Sequence, residues 1–377
     1  MHYDLTIDAR MIGASGVGRY IRSLLPHLAD LQGFSLTLLG NEGELNGYGM
    51  FNSDRIRIVE CNAKIYSLKE QFELAMKISR ACDLFWSPHY NTPLFPVRAK
   101  RRVVTIHDVF HLAFFKMLTL PQKAYARLMF NASARLSDKI ITDSEFSKSE
   151  IIRYTGIDTG KLRVVPCGID RKTFKLIEDK DGLQHIKRSY NLPDQFILFL
   201  GNLKPHKNLT TLLKAFDILI HENAVDCGLV LAGKKEGFIS GDSGIHTMIE
   251  NSRNLRERVT LTGYIEDKDV PAIYNLASVF VLPSLYEGFG LPPLEAMACG
   301  CPAVVSDIAV IREVCGDAAY YVDPHDAGSM AECLYRVLSD ETLRRHLRQK
   351  GAERSKLFSW EDSAGKLLNI FMEVTGV

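Results

Sequence analysis

Short apolar runs alternate with longer helical patterns along nearly all of this 377-residue chain. Strands that alternate with helices are typical of α/β domains built on a parallel sheet. The apolar runs predict strands at residues 5–8, 35–39, 56–59, 84–87, 103–106, 139–142, 196–200, 228–232, 259–262, 279–282, 303–306 and 319–322. The intervening patterns predict helices that include residues 17–31, 68–81, 122–136, 209–220, 341–356 and 361–374, and Pro26 is expected to kink the first.

A chain of this length is expected to form two domains rather than one. Pro166 and Gly168 interrupt the alternation, so we place the domain junction there. The predicted domains are residues 1–168 and 169–360, followed by a terminal helix within 361–377. Two Rossmann-like, doubly wound α/β domains that face each other leave a cleft between the carboxyl ends of their strands, where ligands bind in this fold class.

Composition excludes several classes of protein. The net charge of +1 gives no reason to expect a nucleic-acid partner. The eight cysteines include no CxxC pair, which argues against a zinc ribbon or a thioredoxin-like motif and fits reduced thiols in the cytoplasm. The sequence begins without a signal-peptide pattern and has no apolar run near the ~20 residues that a membrane-spanning helix needs. A cytoplasmic protein is therefore expected.

A glycine-rich turn between a strand and a helix carries the sharpest chemical signal. Pro292 and Pro293 are expected to open a helix, because N–H groups in a first helical turn lack intrahelical partners. The free N–H groups of Phe289, Gly290 and Leu291 therefore predict an anion site at the helix N-terminus. Two carboxylates, Glu287 in the loop and Glu295 in the expected first helical turn, suit hydroxyl groups rather than phosphates. A nucleotide-sugar has both kinds of group.

A second loop, which follows the strand at 196–200, supplies positive charge. Lys207 is the best candidate for neutralising a departing diphosphate, with Lys204 as a weaker one. The alternative for Lys207 is an ordinary solvated lysine at a helix start. At another strand end, Gly263, Tyr264 and Ile265 either wall a nucleotide base or form an ordinary turn.

In the first half, glycines and a histidine lie at predicted strand ends. Gly16 and Gly18 belong to a glycine loop before the first helix. A dinucleotide fingerprint is rejected, because Ile21 takes the place of its third glycine and no acidic residue ends the second strand. His107 follows the fifth strand and is expected to reach a sugar hydroxyl or a developing charge. Ser144 is either a helix N-cap or a cleft residue, and Ser147 with Glu150 fits a capping box.

A basic run, formed by Arg98, Lys100, Arg101 and Arg102, precedes the fifth strand. Most such runs are solvated loops. The hypothesis drawn from it is a peripheral contact with an anionic membrane near a lipid-linked acceptor.

Taken together, these motifs resemble the GT-B retaining glycosyltransferases of family 4. The segment from Glu287 to Glu295 is similar to the E-x7-E signature of that family. The other matching motifs occur in the order of the family and cover nearly the whole chain, namely residues 16–18, His107-Asp108, residues 166–170 and Lys207-Asn208. Asn202 departs from the pattern, because many relatives have an arginine there. The loop looks like that of the mannosyltransferase-like branch, which builds bacterial polysaccharides and lipopolysaccharide and often uses GDP-mannose.

The resemblance implies two facing domains, a donor held mainly by the second domain and an acceptor at the first. The last helix would cross back to the first domain near Phe358-Ser359-Trp360. The donor-binding set would be Gly16, Gly18, Asn202, Lys207, Gly263, Tyr264, Ile265, Glu287, Gly288, Phe289, Gly290, Leu291 and Glu295. Within it, Glu287 would contact sugar hydroxyls, Glu295 the ribose and Lys207 the diphosphate. His107, Lys207 and Glu287 would be catalytic, with Arg19, Asp108 and Ser144 as weaker acceptor-side candidates.

Retention usually suggests a carboxylate nucleophile, but the sequence places none at the reacting carbon. Front-face attack, in which the leaving diphosphate takes the proton of the acceptor, needs neither a nucleophile nor a metal or other cofactor. The alternatives are a UDP-sugar donor, a non-catalytic nucleotide-sugar-binding protein, a GT-B epimerase or phosphorylase and a dehydrogenase; a phosphorylase would be much longer. The acceptor is expected at the loops 41–54 and 110–122, and the sequence does not identify it.

Overall fold

A computed structural model describes residues 3–14, 16–29, 33–48, 55–78, 82–223, 225–233 and 243–376 of the chain. The chain divides into two compact units. The first contains Met1–Gly168 together with Ser359–Val377, and the second contains Ile169–Phe358. Each unit is built on its own parallel sheet.

The sheet of the first unit has seven strands in the order β3-β2-β1-β4-β5-β6-β7. The strands are β1 (Tyr3–Asp8), β2 (Phe34–Gly40), β3 (Ile56–Glu60), β4 (Cys82–Ser87), β5 (Ala99–Thr105), β6 (Lys139–Thr142) and β7 (Leu162–Val164). Every pairing is parallel, with Leu5 opposite both Leu36 and Leu84. The six predicted strands are confirmed. The sequence missed β7, because three residues are too few to show a periodic pattern.

Helices pack against this sheet. They are α1 (Gly16–Ala29), α2 (Glu42–Gly47), α3 (Leu68–Lys77), α4 (Phe110–Ala113), α5 (Leu120–Leu136) and α6 (Glu145–Thr155). Helix α5 begins before the predicted residue 122, because Thr119 and Gln122 form a capping box. Pro26 lies inside α1. The predicted ends at residue 31 and at residues 79–81 fall outside the described residues.

The second unit has a six-stranded sheet in the order β10-β9-β8-β11-β12-β13, again with only parallel pairings. Its strands are β8 (Phe196–Leu200), β9 (Gly228–Ala232), β10 (Val259–Gly263), β11 (Val279–Leu282), β12 (Ala303–Ser306) and β13 (Tyr320–Val322). The predicted strands of this half are confirmed to within one residue. Their side chains are mostly buried, as expected for strands covered by helices on both faces.

The helices of this unit are α7 (Lys180–Ser189), α8 (Leu209–Asn223), α9 (Ser243–Asn251), α10 (Arg253–Arg258), α11 (Val270–Leu276), α12 (Leu291–Ala298), α13 (Ala309–Cys315), α14 (Ala327–Ser339) and α15 (Glu341–Ser355). Among the described residues, no helix is long and apolar enough to cross a membrane.

The last helix, α16 (Trp360–Thr375), returns to the first unit. The hydroxyl of Ser363 donates to the carbonyl of Pro166 at 2.6 Å, and the rings of Phe371 and Trp86 lie 5.6 Å apart. A Cβ at Gly168 would lie 2.1 Å from the backbone nitrogen of Trp360, so only glycine fits there. Close backbone packing thus fixes the point where the chain re-enters this unit.

Candidate active site

Three glycines end adjacent strands of the second unit. Gly201 follows β8, Gly233 follows β9, and Gly263 ends β10 with φ of 72°. The N–H of Gly233 donates to the carbonyl of Gly263 at 2.9 Å. A Cβ at Gly233 would lie 2.2 Å from the carbonyl oxygen of Gly201. The carboxyl edge of the sheet is therefore bare backbone here, and a ligand can approach it closely.

The predicted glycine turn joins β11 to α12. Gly290 is the N-cap with φ of 114°, and a Cβ on it would lie 2.7 Å from Cδ1 of Ile311. No side chain among the described residues caps this helix end. Pro292 and Pro293 occupy its first turn, as predicted. The positive end of the helix is thus left for an anion rather than for a side chain of the protein.

Lys207 and Glu287 are in direct contact. The ammonium Nζ of Lys207 donates to Oε1 of Glu287 at 2.6 Å, and both side chains are largely buried. The N–H of Leu285 donates to the carbonyl of His206 at 2.8 Å, which joins the two loops a second time. The solvated-lysine alternative is therefore wrong. The sequence selected both residues but assigned them to different parts of the ligand.

Asn208 fixes this arrangement, and the sequence analysis gave it no role. Its backbone is left-handed, with φ of 59°. Its Nδ2 donates to the carbonyls of Pro283 at 3.1 Å and Pro324 at 2.6 Å, while its Oδ1 accepts from the hydroxyl of Thr211 at 2.7 Å. The available signal was an asparagine directly before a helix, since asparagine tolerates this conformation better than most residues.

Glu295 lies deeper than predicted. Helix α12 begins at Leu291, so Glu295 is in the second helical turn rather than the first. The prolines lie in the first turn, but the helix opens one residue before Pro292, so each later residue is one position further along the helix than expected. The carboxylate is buried, and its Oε2 accepts from the hydroxyl of Tyr274 at 3.2 Å. A ribose would meet an acceptor already oriented by a phenol.

The remaining donor-side candidates of the second unit differ in how exposed they are to solvent. Asn202 and Tyr264 are exposed, whereas Ile265 and Phe289 are buried. The ring of Phe289 meets that of Phe358 edge-on at 5.8 Å. Of these buried residues, only the backbone is suited to contact a ligand. Gly288 lies in the turn that precedes α12, and Leu291 is the first residue of that helix.

In the first unit, both ring nitrogens of His107 are engaged. Nδ1 lies 2.7 Å from Oδ2 of Asp143, and Nε2 lies 3.0 Å from the carbonyl of Pro88. Burial by itself lowers the pKa of His107, but the charge and hydrogen bond of Asp143 outweigh it and raise the pKa above its usual value. Two acceptors suit the protonated ring, in which both nitrogens are donors. A sugar hydroxyl would have to replace the carbonyl of Pro88.

Gly18 and Ser144, two of the other candidates in the first unit, have structural roles in the backbone. A Cβ at Gly18 would lie 2.4 Å from the carbonyl of Ile12, so this glycine serves close packing, whereas Gly16 faces open space. Ser144 is the N-cap of α6 and accepts from the N–H of Ser147 at 3.0 Å, so the predicted capping box at Ser147 is wrong.

The last two acceptor-side candidates are half-buried. Asp108 accepts from the N–H of Phe110 at 2.8 Å, and Arg19 lies on α1. The loop at 41–54 forms α2, and its residues 49–54 lie outside the described residues. The loop at 110–122 forms α4, a 3-10 turn at Phe115–Met117 and the start of α5.

Tyr66 is an aromatic residue that the sequence analysis missed. It is exposed, has a left-handed backbone with φ of 67°, and its hydroxyl lies 3.1 Å from Nε2 of His89. Burial, together with the charges of His107 and His111, lowers the pKa of His89 to about 3 and keeps the ring neutral. The polar sequence around Tyr66 gives no signal of its left-handed backbone or of its contact with His89.

Three residues of the basic run, Lys100, Arg101 and Arg102, lie within β5 rather than before it, because the strand begins at Ala99, and only Arg98 precedes the strand. Lys100 pairs with Asp83 at 2.7 Å and Arg101 with Asp138 at 3.0 Å. Arg102 donates from Nη1 to the carbonyl of Pro93 at 3.3 Å, and Arg98 is exposed. Much of the positive charge that the sequence suggested is therefore neutralised locally.

The cysteines are all free, and seven of the eight are buried. Within the described ranges, no group of three or more His, Cys, Asp or Glu side chains is arranged to hold a metal ion.

Two family models of glycosyltransferases together match most of the chain. The family model described as "Glycosyl transferases group 1" matches residues 183–354, and that described as "Glycosyltransferase Family 4" matches residues 14–173. O-antigen chain mannosyltransferase B of Escherichia coli is 33% identical over 291 residues, which cover 75% of this chain and 73% of that protein. Serotype-specific mannosyltransferase WbdA of Escherichia coli is 33% identical over 228 residues, but this match spans only 28% of WbdA.

A solved structure is similar over its full length. Anabaena Alr3699/HepE in complex with UDP and glucose has a TM-score of 0.80 to this chain at 16% identity, with 99% of this chain and 100% of that one covered. At this identity the likeness concerns the fold.

Proposed function

This chain belongs to the group 1 glycosyltransferases of family 4 and has their GT-B fold, and we propose that it transfers a hexose with retention of anomeric configuration. The preferred donor is GDP-mannose. The acceptor is a saccharide or lipid-linked saccharide in bacterial polysaccharide or lipopolysaccharide synthesis. The contact between Lys207 and Glu287 beside the uncapped end of α12 carries this proposal.

The proposed reaction is a front-face displacement. The acceptor oxygen bonds to the anomeric carbon on the face from which the diphosphate departs. The bond between that carbon and the phosphate oxygen breaks, and the departing oxygen takes the acceptor proton. Lys207 neutralises the charge that develops on the diphosphate. Glu287 holds sugar hydroxyls and is not a nucleophile.

Further binding roles complete the proposed site. Glu295 accepts from the ribose. The turn formed by Gly288, Phe289, Gly290 and Leu291 supplies N–H donors for phosphate. His107 is proposed to act at the sugar, and the first unit to bind the acceptor. No metal is needed for this chemistry, so activity should survive a chelator.

The mannose preference draws on the relatives, since both Escherichia coli proteins are named mannosyltransferases. A UDP-sugar is the alternative donor, because a protein of the same fold has been solved with UDP and glucose. A non-catalytic nucleotide-sugar-binding protein is the alternative of another class. We also propose a cytoplasmic location with peripheral membrane contact through Arg98, Lys100, Arg101 and Arg102.

A thermal-shift screen of GDP, UDP, ADP and TDP sugars tests the donor. A ligand that binds only the native state raises the melting temperature by mass action. We expect GDP-mannose to give the largest shift, and the shift to shrink in Lys207→Ala. A shift with UDP-sugars alone would overturn the GDP preference. Release of GDP from GDP-mannose without acceptor separates an enzyme from a binding protein.

A further inference from the structure

Helix α3 (Leu68–Lys77) turns three of its large apolar side chains toward solvent. Leu68 is 82% exposed, Phe72 57% and Met76 66%. Because residues four apart are neighbours on a helix surface, these side chains form one continuous stripe. The inward face carries Glu70, which is completely buried beside Leu74. Apart from Leu74, which is buried in the core, the helix is therefore inverted relative to an ordinary surface helix, whose apolar face points to the core.

A buried polar network fixes this orientation. Arg10 donates from Nη2 to Oε1 of Glu70 at 2.7 Å. Asn91 donates from Nδ2 to Oε2 of Glu70 at 2.5 Å, and the N–H of Tyr66 donates to the same oxygen at 2.9 Å. Rotating α3 to bury the stripe would strip the buried guanidinium of Arg10 of this carboxylate partner, which is unfavourable. The exposure of the stripe follows from the fold.

A neighbouring loop extends the stripe. The exposed ring of Phe95 lies 4.7 Å from the ring of Phe72. The N–H of Leu94 donates to Oε1 of Gln71 at 2.8 Å, so the loop is tied to the inner face of α3. We call the surface formed by Leu68, Phe72, Met76 and Phe95 the α3 patch.

Exposed cations border the α3 patch. Lys69 and Lys77 lie on the helix itself, and Lys64 and Arg98 lie in the segments beside the patch. Neither Lys69 nor Lys77 forms an ion pair with another residue in the described part of the chain. Apolar side chains edged by unpaired lysines are typical of helices that lie in the interface of an anionic membrane.

We propose that the α3 patch docks this protein on an anionic lipid surface. Leu68, Phe72 and Met76 enter the boundary between headgroups and acyl chains, while Lys69 and Lys77 remain among the headgroups. The inference deepens the membrane contact of the proposed function, because the basic run of β5 supplies no exposed apolar side chain of its own. A two-fold contact with a second copy is disfavoured, since the same lysines would meet across an isologous interface.

Co-sedimentation with vesicles tests the proposal. One set of vesicles contains phosphatidylglycerol and phosphatidylcholine, and the other contains phosphatidylcholine alone. We expect the full chain to bind the anionic set, and Leu68→Ser/Phe72→Ser/Met76→Ser to bind it at least about tenfold more weakly. Lys69→Gln/Lys77→Gln should also bind more weakly, and added salt should reduce its difference from wild type.

The matched control is Leu176→Ser/Leu357→Ser in the second unit, where these leucines are 70% and 67% exposed. It removes two apolar side chains whose exposed fractions resemble those of the stripe, and it should bind like wild type. Absent binding by wild type, unchanged binding by the stripe variant, or an equal loss in the control would each overturn the proposal. So would sedimentation velocity showing a wild-type dimer that the stripe variant converts to monomer.

The vesicle assay contains no donor, so its failure is distinguishable from failure of the proposed transferase function. The thermal shift with GDP-mannose, measured on the same variants, reports the donor site separately. A stripe variant that keeps this shift and loses vesicle binding supports the α3 patch as a surface distinct from the donor site.

Discussion

At the scale of single residues, the ion pair of Lys207 and Glu287 dominates the candidate site. Their charged atoms lie 2.6 Å apart, and both side chains are largely buried. A charge removed from water is costly when unpaired, so each group depends on the other in the donor-free protein. In the proposed complex the pair exchanges partners, because a diphosphate competes for the ammonium and sugar hydroxyls satisfy the carboxylate.

We expect Lys207→Ala to lower turnover by about 10²–10³-fold, because a preorganised charge is removed from the departing group. Glu287→Ala should also lose most of the rate, through loss of sugar positioning. Turnover at saturating donor, with circular dichroism to verify folding, measures both effects. Lys214→Ala is the control, since this lysine is exposed on α8, is not one of the site candidates and should leave turnover near wild type. Near wild-type turnover in either site variant would contradict the assigned site.

At the scale of elements, two left-handed residues bring the loops of the site together. Asn208 directs the chain from the Lys207 turn into α8, and Gly290 directs it from the Glu287 loop into α12. Asparagine and glycine adopt this backbone conformation more readily than other residues. The polar contacts of Asn208 and the close approach of Gly290 to Ile311 then hold each loop against the sheet.

Gly290→Ala is expected to destabilise the protein by at least about 1–2 kcal/mol, since alanine is strained at a positive φ and its Cβ would crowd Ile311. The donor-induced thermal shift should fall with it, because the end of α12 moves. Gly365→Ala, at an exposed position of α16, is the opposite control, with no atom within 4 Å of the new Cβ. It should stabilise by about 0.5–1 kcal/mol. Equal melting temperatures for both variants would refute the role of Gly290.

At the scale of the molecule, the last helix makes the first unit discontinuous in sequence. Helix α16 packs Phe371 against Trp86 and Trp360 against Tyr20. The two tryptophans of the chain are Trp86 and Trp360, and both belong to this unit. Tryptophan fluorescence therefore reports the unfolding of the first unit.

Phe371→Ala should lower the free energy of unfolding of this unit by about 3–5 kcal/mol, because it leaves a cavity beside a fully buried tryptophan. Guanidinium unfolding followed by tryptophan fluorescence measures the change. Glu373→Gln on the same helix removes exposed pairs with Lys139 and Arg163, and it should cost about 1 kcal/mol or less. A loss from Phe371→Ala no larger than that control would contradict the packing role of α16.

The sequence by itself determined the fold class and the residues that form the candidate site. Apolar runs, glycine turns and the positions of Lys207 and Glu287 are local signals, and the structure confirms the strands and places these two residues together. The same local signals misplaced the start of α12 by one residue, because proline is tolerated anywhere in a first helical turn.

The tertiary structure alone decided which groups are partners. Lys207 and Glu287 are 80 residues apart, and only the parallel register of β8 and β11 makes their loops neighbours. Tertiary contacts likewise decide the partners of the two ring nitrogens of His107. They also decide that the apolar stripe of α3 faces solvent, because the buried Arg10 holds Glu70 on the inward face. Periodicity shows which face of an element is apolar, but the direction in which that face points is set by contacts between distant segments.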